Sequence, residues 1–143
     1  MSGWKGSAMT TQCPVLTASN IKYLLALYAL ETGTRGVRCV EIAGILGITR
    51  PSVHAMVKTL STMGLLRQDR YGTVHFTREG ACLAARYARY YETVCGHLRA
   101  LFINEMDVKA AAYAVLAEIP ADRLDAMDAV QAKPEREEKH VPD

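Results

Sequence analysis

Apolar residues recur at helical spacing in six stretches of the chain and alternate in one, with Gly, Pro and short hydroxyl residues between them. After an irregular start, Ile21, Leu24, Leu25 and Tyr28 fall three or four apart, and Leu27 and Leu30 widen the stripe. This spacing predicts an amphipathic helix capped by Thr17 or Ser19 and ended before Gly33. A short helix from about Val40 to Leu46 comes next, burying Ile42, Ala43 and Leu46. Gly47 then supplies the positive φ of a sharp turn, Thr49 caps a following helix, and Pro51 sits harmlessly in its first turn. Val53, Met56/Val57, Leu60 and Met63 keep helical spacing until Gly64, while Ser52, His54, Lys58, Ser61 and Thr62 occupy the other face.

Two short runs, Leu65–Arg70 and Thr73–Thr77, flank Tyr71-Gly72 and read as a β-hairpin, with Val74 and Phe76 facing the core. Thr77 caps a long helix expected from Arg78 to about Ile103; Gly80, Ala81, Ala84 and Ala85 near its start permit close packing. A helical pair, Val108–Glu118 and Asp122–Val130, is separated by Pro120. The expected organisation is a flexible arm (1–16), a winged helix-turn-helix of three helices and a hairpin (17–77), a long helix with a small all-α domain (78–131), and a disordered tail (132–143). The fold class is therefore mainly α. Trp4 stands out in the arm, either as the remnant of a tag or as a residue that docks on the body.

The 143 residues suffice for one domain, or for a small module with a helical piece attached. Half are hydrophobic and 22% charged, an ordinary globular balance. The net charge of +2 points to no partner, yet residues 1–80 hold nine Lys/Arg against four Asp/Glu, and residues 81–143 eight against eleven. A basic front and an acidic back result. No apolar run nears the roughly 18 residues of a membrane span, and the first residues lack an apolar core of signal-peptide length. Four cysteines, at 13, 39, 82 and 95, form no CxxC, so reduced thiols and a cytoplasmic location are expected. No GxSxG, P-loop, HExxH or paired-carboxylate pattern marks an enzyme.

Ala43, Gly47, Ile48 and the Val53–Val57 spacing form the core of a helix-turn-helix: a close crossing, a turn, and an apolar plug between two helices. The second helix would present its start to a DNA major groove. Thr49, Arg50, Pro51, Ser52 and His54 lie there, with Lys58 a turn beyond, and Arg67, Arg70 and Tyr71 on the wing would hold the flanking backbone. Double-stranded DNA is the expected partner; a winged helix that binds only protein is the competing reading.

The segments "YLLALYAL" (23–30), "EIAGILGITRPSVHAMVKTLSTMGLL" (41–66) and "YGTVHFTREG" (71–80) resemble the diphtheria-toxin-repressor/manganese-transport-regulator family of iron- and manganese-dependent repressors. That resemblance runs from Thr17 to about Met127. It implies that residues 78–131 form a linking helix and a small all-α dimerisation domain, that a homodimer sits on a palindromic operator, and that a Mn or Fe ion is held between the first helix, the long helix and the helical domain. The family's ligand positions fall at Lys22, Leu25, Tyr91, Tyr113, Leu116 and Ala117, none of them a ligand for Mn²⁺ or Fe²⁺. Glu92 and Cys95, an i,i+3 pair on the long helix, are the weak alternative for a rearranged site; His97 points elsewhere, and His54 and His75 read as DNA-facing or wing residues. No metal cofactor is expected, and a regulator that binds DNA constitutively or answers another effector is. Tyr87, Tyr90, Tyr91 and Tyr113 crowd the region of the missing metal. They read either as core and dimer packing or as the lining of a small apolar effector pocket.

Overall fold

The computed structural model describes residues 14–30 and 35–140, with side chains described through Gln131. Trp4, Gly33 and Cys13 therefore lie outside the described residues. Among the described residues the fold has six helices and three short strands. Helix α1 spans Ala18–Leu30. Of the two candidate caps, Thr17 performs the role: its Oγ1 accepts the Asn20 N–H (3.1 Å), and the Asn20 side-chain oxygen accepts the Thr17 N–H in return (3.0 Å).

Strand β1, Val37–Arg38, leads directly into α2, Cys39–Leu46. Gly47 adopts φ 67°, and its N–H and that of Ile48 both bond the Ala43 carbonyl, which closes α2 and redirects the chain. Helix α3, Arg50–Thr62, starts at Thr49, whose Oγ1 accepts the Ser52 N–H at 3.2 Å. Strands β2, Leu66–Gln68, and β3, Thr73–Phe76, form the wing. The wing is three-stranded, in the order β1-β3-β2, because Val37 pairs with Val74 and Arg38 with Thr73. A two-residue strand has too short a pattern to be seen in sequence, which is why β1 was not among the expected elements.

Helix α4 runs over Arg78–Leu98, capped by Thr77, whose Oγ1 accepts the Gly80 N–H at 2.9 Å. It stops five residues short of the expected end at Ile103. The Ala100 and Leu101 N–H groups bond the carbonyls three residues back, and the Asn104 side chain caps α5, which begins early at Glu105 and ends at Glu118. Arg99 grips Glu105 across this turn at 2.6 Å. Helix α6 spans Ala121–His140. Its backbone stays helical through 132–140, where the composition predicts disorder. Lack of apolar residues limits burial, whereas Ala, Glu, Lys and Arg favour helical backbone whether or not a face is buried.

One continuous core joins the head to the helical region. Ile21, Leu24, Val53, Leu60 and Val74 share it with Tyr90, Val108, Leu116 and Leu124. Helix α1 packs on both α4 and α5, so it belongs to both regions. Gly80 lies against the chain after α3: a Cβ there would stand 1.8 Å from the Leu65 carbonyl oxygen. This close approach seats the long helix beneath the wing.

Candidate nucleic-acid interface and the junction behind it

The presentation of α3 follows from its sequence. Val53, Val57 and Leu60 are buried, so the helix keeps one face inward. Arg50, His54 and Lys58, spaced by four, form an exposed stripe, with Pro51 and Ser52 exposed beside its first turn. Thr49 is exposed too, and its hydroxyl donates to Ser52 Oγ (3.0 Å). The backbone N–H groups of this helix start carry the positive end of the helix dipole. Arg50 and Lys58 have no side-chain hydrogen bond or ion pair among the described residues. His54 is also exposed, and its Nδ1 lies 3.9 Å from the Cys39 thiol.

The wing turn is organised by Asp69, a residue that the sequence reading passed over. Its Oδ1 accepts the N–H groups of Tyr71 (2.9 Å) and Thr73 (3.0 Å), and its Oδ2 meets His75 Nε2 at 3.3 Å. These backbone N–H groups, foremost that of Thr73, together with His75, hold the Asp69 carboxyl below the usual carboxylate range. Gly72 takes φ 87°, and the Gln68 side-chain amide donates to its carbonyl. An aspartate opening an Asp-x-Tyr-Gly stretch is the signal that marks such a turn in sequence. Arg67, Arg70 and Tyr71 are exposed on this wing, Tyr71 by 79%. Neither Arg67 nor Arg70 has a side-chain partner among the described residues. All nine residues expected at the interface thus lie on the surface of α3 and the wing.

Cys39, the first residue of α2, sits between the two elements. Gln68 of the wing reaches its thiol at 3.8 Å, His54 of α3 approaches from the other side, and burial pushes the thiol pKa up. Cys39, Cys82 and Cys95 are free thiols.

The six positions that correspond to a metal site carry a different chemistry. Lys22 is exposed, Leu25 and Ala117 are half-buried against the core, and Leu116 is buried. Tyr91 stacks on Tyr113 with ring centroids 5.0 Å apart and planes 24° from parallel. Burial, with Tyr113 and Cys95 close by, pushes the Tyr91 hydroxyl pKa strongly upward. Two stacked phenol rings and aliphatic side chains offer no donor set for Mn²⁺ or Fe²⁺, so these residues do not fit the ion that the resemblance implies. Glu92 is exposed while Cys95 is buried, and among the described residues no group of three or more His, Cys, Asp or Glu is arranged to hold a metal.

Of the two readings of the four tyrosines, ring packing is the one their geometry follows. Tyr87 meets Tyr90 edge-on at 5.1 Å, and Tyr90 is fully buried. Tyr90 donates its hydroxyl proton to Asp125 Oδ1 of α6, while Arg86 Nη2 donates to the Tyr90 hydroxyl (3.2 Å) and to Asp125 Oδ2 (3.0 Å). Arg89 bonds Asp128 one turn further on. Tyr87 lines a cleft that opens between the segment before α1 and the α5–α6 turn.

Comparison with known proteins agrees with this architecture. The IclR helix-turn-helix domain model matches residues 22–70, from α1 to the wing turn. The chain is 30% identical over 89 residues to the transcriptional regulator MntR of Escherichia coli O6:H1, and equally to that of E. coli O157:H7. Those alignments take in 62% of this chain and 57% of each relative, so the chain spans little more than half their length. The hypothetical protein SSo2273 from Sulfolobus solfataricus superposes with a TM-score of 0.61 at 22% identity, covering 83% of this chain and 92% of its own. The manganese regulator SloR gives 0.59 at 22% identity (76% and 52%), and ScaR with bound Zn²⁺ gives 0.56 at 24% (79% and 53%). Coverage of this extent takes in helices beyond the head. The chain is a mainly helical winged helix-turn-helix protein, and its head and helical region follow a fold shared with SloR and ScaR.

Proposed function

We propose that the chain is a transcriptional regulator that binds double-stranded DNA as a homodimer, acts as a repressor in the cytoplasm, and does so without Mn²⁺ or Fe²⁺ as its switch. One observation carries the DNA assignment. Arg50 and Lys58 on the exposed stripe of α3, and Arg67 and Arg70 on the wing, are four exposed cations without side-chain partners among the described residues. Cations so placed on either side of a capped helix start suit phosphates that flank a major groove. The 30% identity to MntR over 89 residues supports the same reading.

A second copy is favoured by the turn between α4 and α5. Leu101, Ile103 and Met106 are exposed there, Ile103 completely, with Phe102 partly covered beside them. An apolar patch of this kind at the far end of the helical region is suited to a symmetric contact, which would pair two heads for a palindromic operator. The metal-free part of the proposal is supported by the stacked Tyr91 and Tyr113, which fill positions where ligands would be needed.

Anisotropy of the full chain on labelled duplexes selected from a random-sequence pool tests the DNA and metal parts. Arg50→Ala and Lys58→Ala are each expected to weaken binding by about tenfold, and to lower the slope of affinity against salt by about one. Mn²⁺, Fe²⁺ and Zn²⁺ are expected to leave affinity unchanged, instead of raising it by the roughly 5–150-fold of a coupled effector. If neither variant weakens binding, the partner is not DNA; a large metal-induced gain would restore a metal switch. Sedimentation with Ile103→Asp is expected to shift the chain from dimer to monomer.

A further inference from the structure

The cleft at the base of the helical region has the size and lining of a small-molecule site. It encloses about 590 Å³, within the roughly 300–1,000 Å³ of ligand pockets. Its floor is apolar: Leu16, Tyr87 and Leu116 are all buried, and Ile119 and Pro120 continue the same surface outward. Its polar rim comes from α5 and α6 as Glu118, Asp122 and Asp125, with Arg86 of α4 beside Asp125.

The three carboxylates are not equivalent. Asp125 is already engaged by Arg86 and by the Tyr90 hydroxyl. Glu118 and Asp122 are exposed and have no side-chain hydrogen bond or ion pair among the described residues. Glu118 also ends α5, where the unpaired carbonyls of the last turn add the negative end of the helix dipole. An apolar floor under a rim that stays net negative, three carboxylates against the one guanidinium of Arg86, complements one class of molecule. A neutral apolar compound would leave the rim without a partner, and an anion would be repelled.

We propose that this cleft binds an amphipathic organic cation, an ammonium group on an apolar frame, with the frame on Leu16, Tyr87 and Leu116 and the ammonium at Glu118 and Asp122. Leu16 lies two residues before the start of α1, and Leu116 and Glu118 belong to α5, so an occupant touches both the head and the helical region. The proposal concerns the cleft alone and stands whether or not the head binds DNA.

Calorimetric titration of the full chain, without DNA, with 4-phenylbutylamine and separately with 4-phenylbutyrate tests it, since the two probes share a frame and differ in charge. The amine is expected to bind roughly tenfold more tightly than the acid, the sum of two exposed charge contacts. That preference is expected to shrink with rising salt, and to vanish in the doubly substituted Glu118→Gln, Asp122→Asn chain. These exposed, near-isosteric changes leave the floor intact, so binding of both probes to the variant with equal affinity supports the assignment of the rim. Failure of the amine to bind the natural chain overturns the proposal. Equal binding of amine and acid by that chain, or an unchanged preference in the variant, overturns the cationic specificity.

Discussion

Tyr91 of α4 stacks on Tyr113 of α5 at 5.0 Å, nearly ring on ring, and so fastens the long helix to the helical pair. The junction that a metal would tie together in the resembling family is tied here by aromatic packing. Burial of two half-covered rings and their stacking stabilise the contact beyond what two aliphatic side chains would give. Tyr91→Ala is therefore expected to cost about 2–3 kcal/mol in urea unfolding, and Tyr91→Phe less than about 1 kcal/mol, since it keeps the stacked ring. Equal costs for the two would show that the hydroxyl, not the ring, holds the junction.

A neighbouring tyrosine gives the fold an alkaline limit. Burial, then its bond to Asp125, raises the Tyr90 hydroxyl pKa from the ordinary value of 10.0 to about 12. The unfolded chain loses this proton first as pH rises, so the folded state is stabilised below pH 10 and loses that contribution as pH climbs toward 12. Unfolding midpoints measured from pH 9 upward are expected to fall over this window, and to fall less in Tyr90→Phe. An equally steep decline in that variant would assign the effect to other groups.

Gly80 is the position least tolerant of a side chain. The added Cβ of Gly80→Ala would collide with the Leu65 backbone carbonyl, which no rotamer change can move aside. The expected loss is about 3 kcal/mol or more, despite alanine's better helix propensity. A variant as stable as the natural chain would mean that α4 can shift away from the wing freely.

Asp69 holds the wing by charge. Its carboxylate accepts the Tyr71 and Thr73 N–H groups and meets His75, and its pKa is lowered for that reason. A lowered carboxyl contributes order above the usual carboxylate range, and this is lost as pH falls through its folded value. Amide exchange at Tyr71 and Thr73 is expected to accelerate in Asp69→Ala, while α4 amides stay protected. Unchanged exchange at those two sites would show that Gly72 and the strands suffice to shape the turn.

Periodicity and turn chemistry made much of the fold legible. Thr49, Thr77 and Gly47 perform the capping and turning that their types imply, because these are local bonds between residues a few positions apart. The exposed face of α3 was legible for the same reason: burying Val53, Val57 and Leu60 leaves Arg50, His54 and Lys58 outside. Strand β1 and the Asp125–Tyr90–Arg86 contact were not, since each joins residues thirty or more positions apart and leaves no local period.

The sequence by itself determined the helices, the turn and wing, the basic stripe, and the absence of metal-binding side chains at Lys22, Leu25, Tyr91, Tyr113, Leu116 and Ala117. Composition and spacing suffice there, because side-chain chemistry and helix faces are properties of short segments. Only the tertiary structure decided how the tyrosines meet. Packing turned four tyrosines into two ring pairs, and opened a cleft between Leu16, Tyr87 and the α5–α6 turn. Which rings meet and which surfaces stay apart depends on how α1, α4, α5 and α6 cross, and that is set by close packing throughout the core.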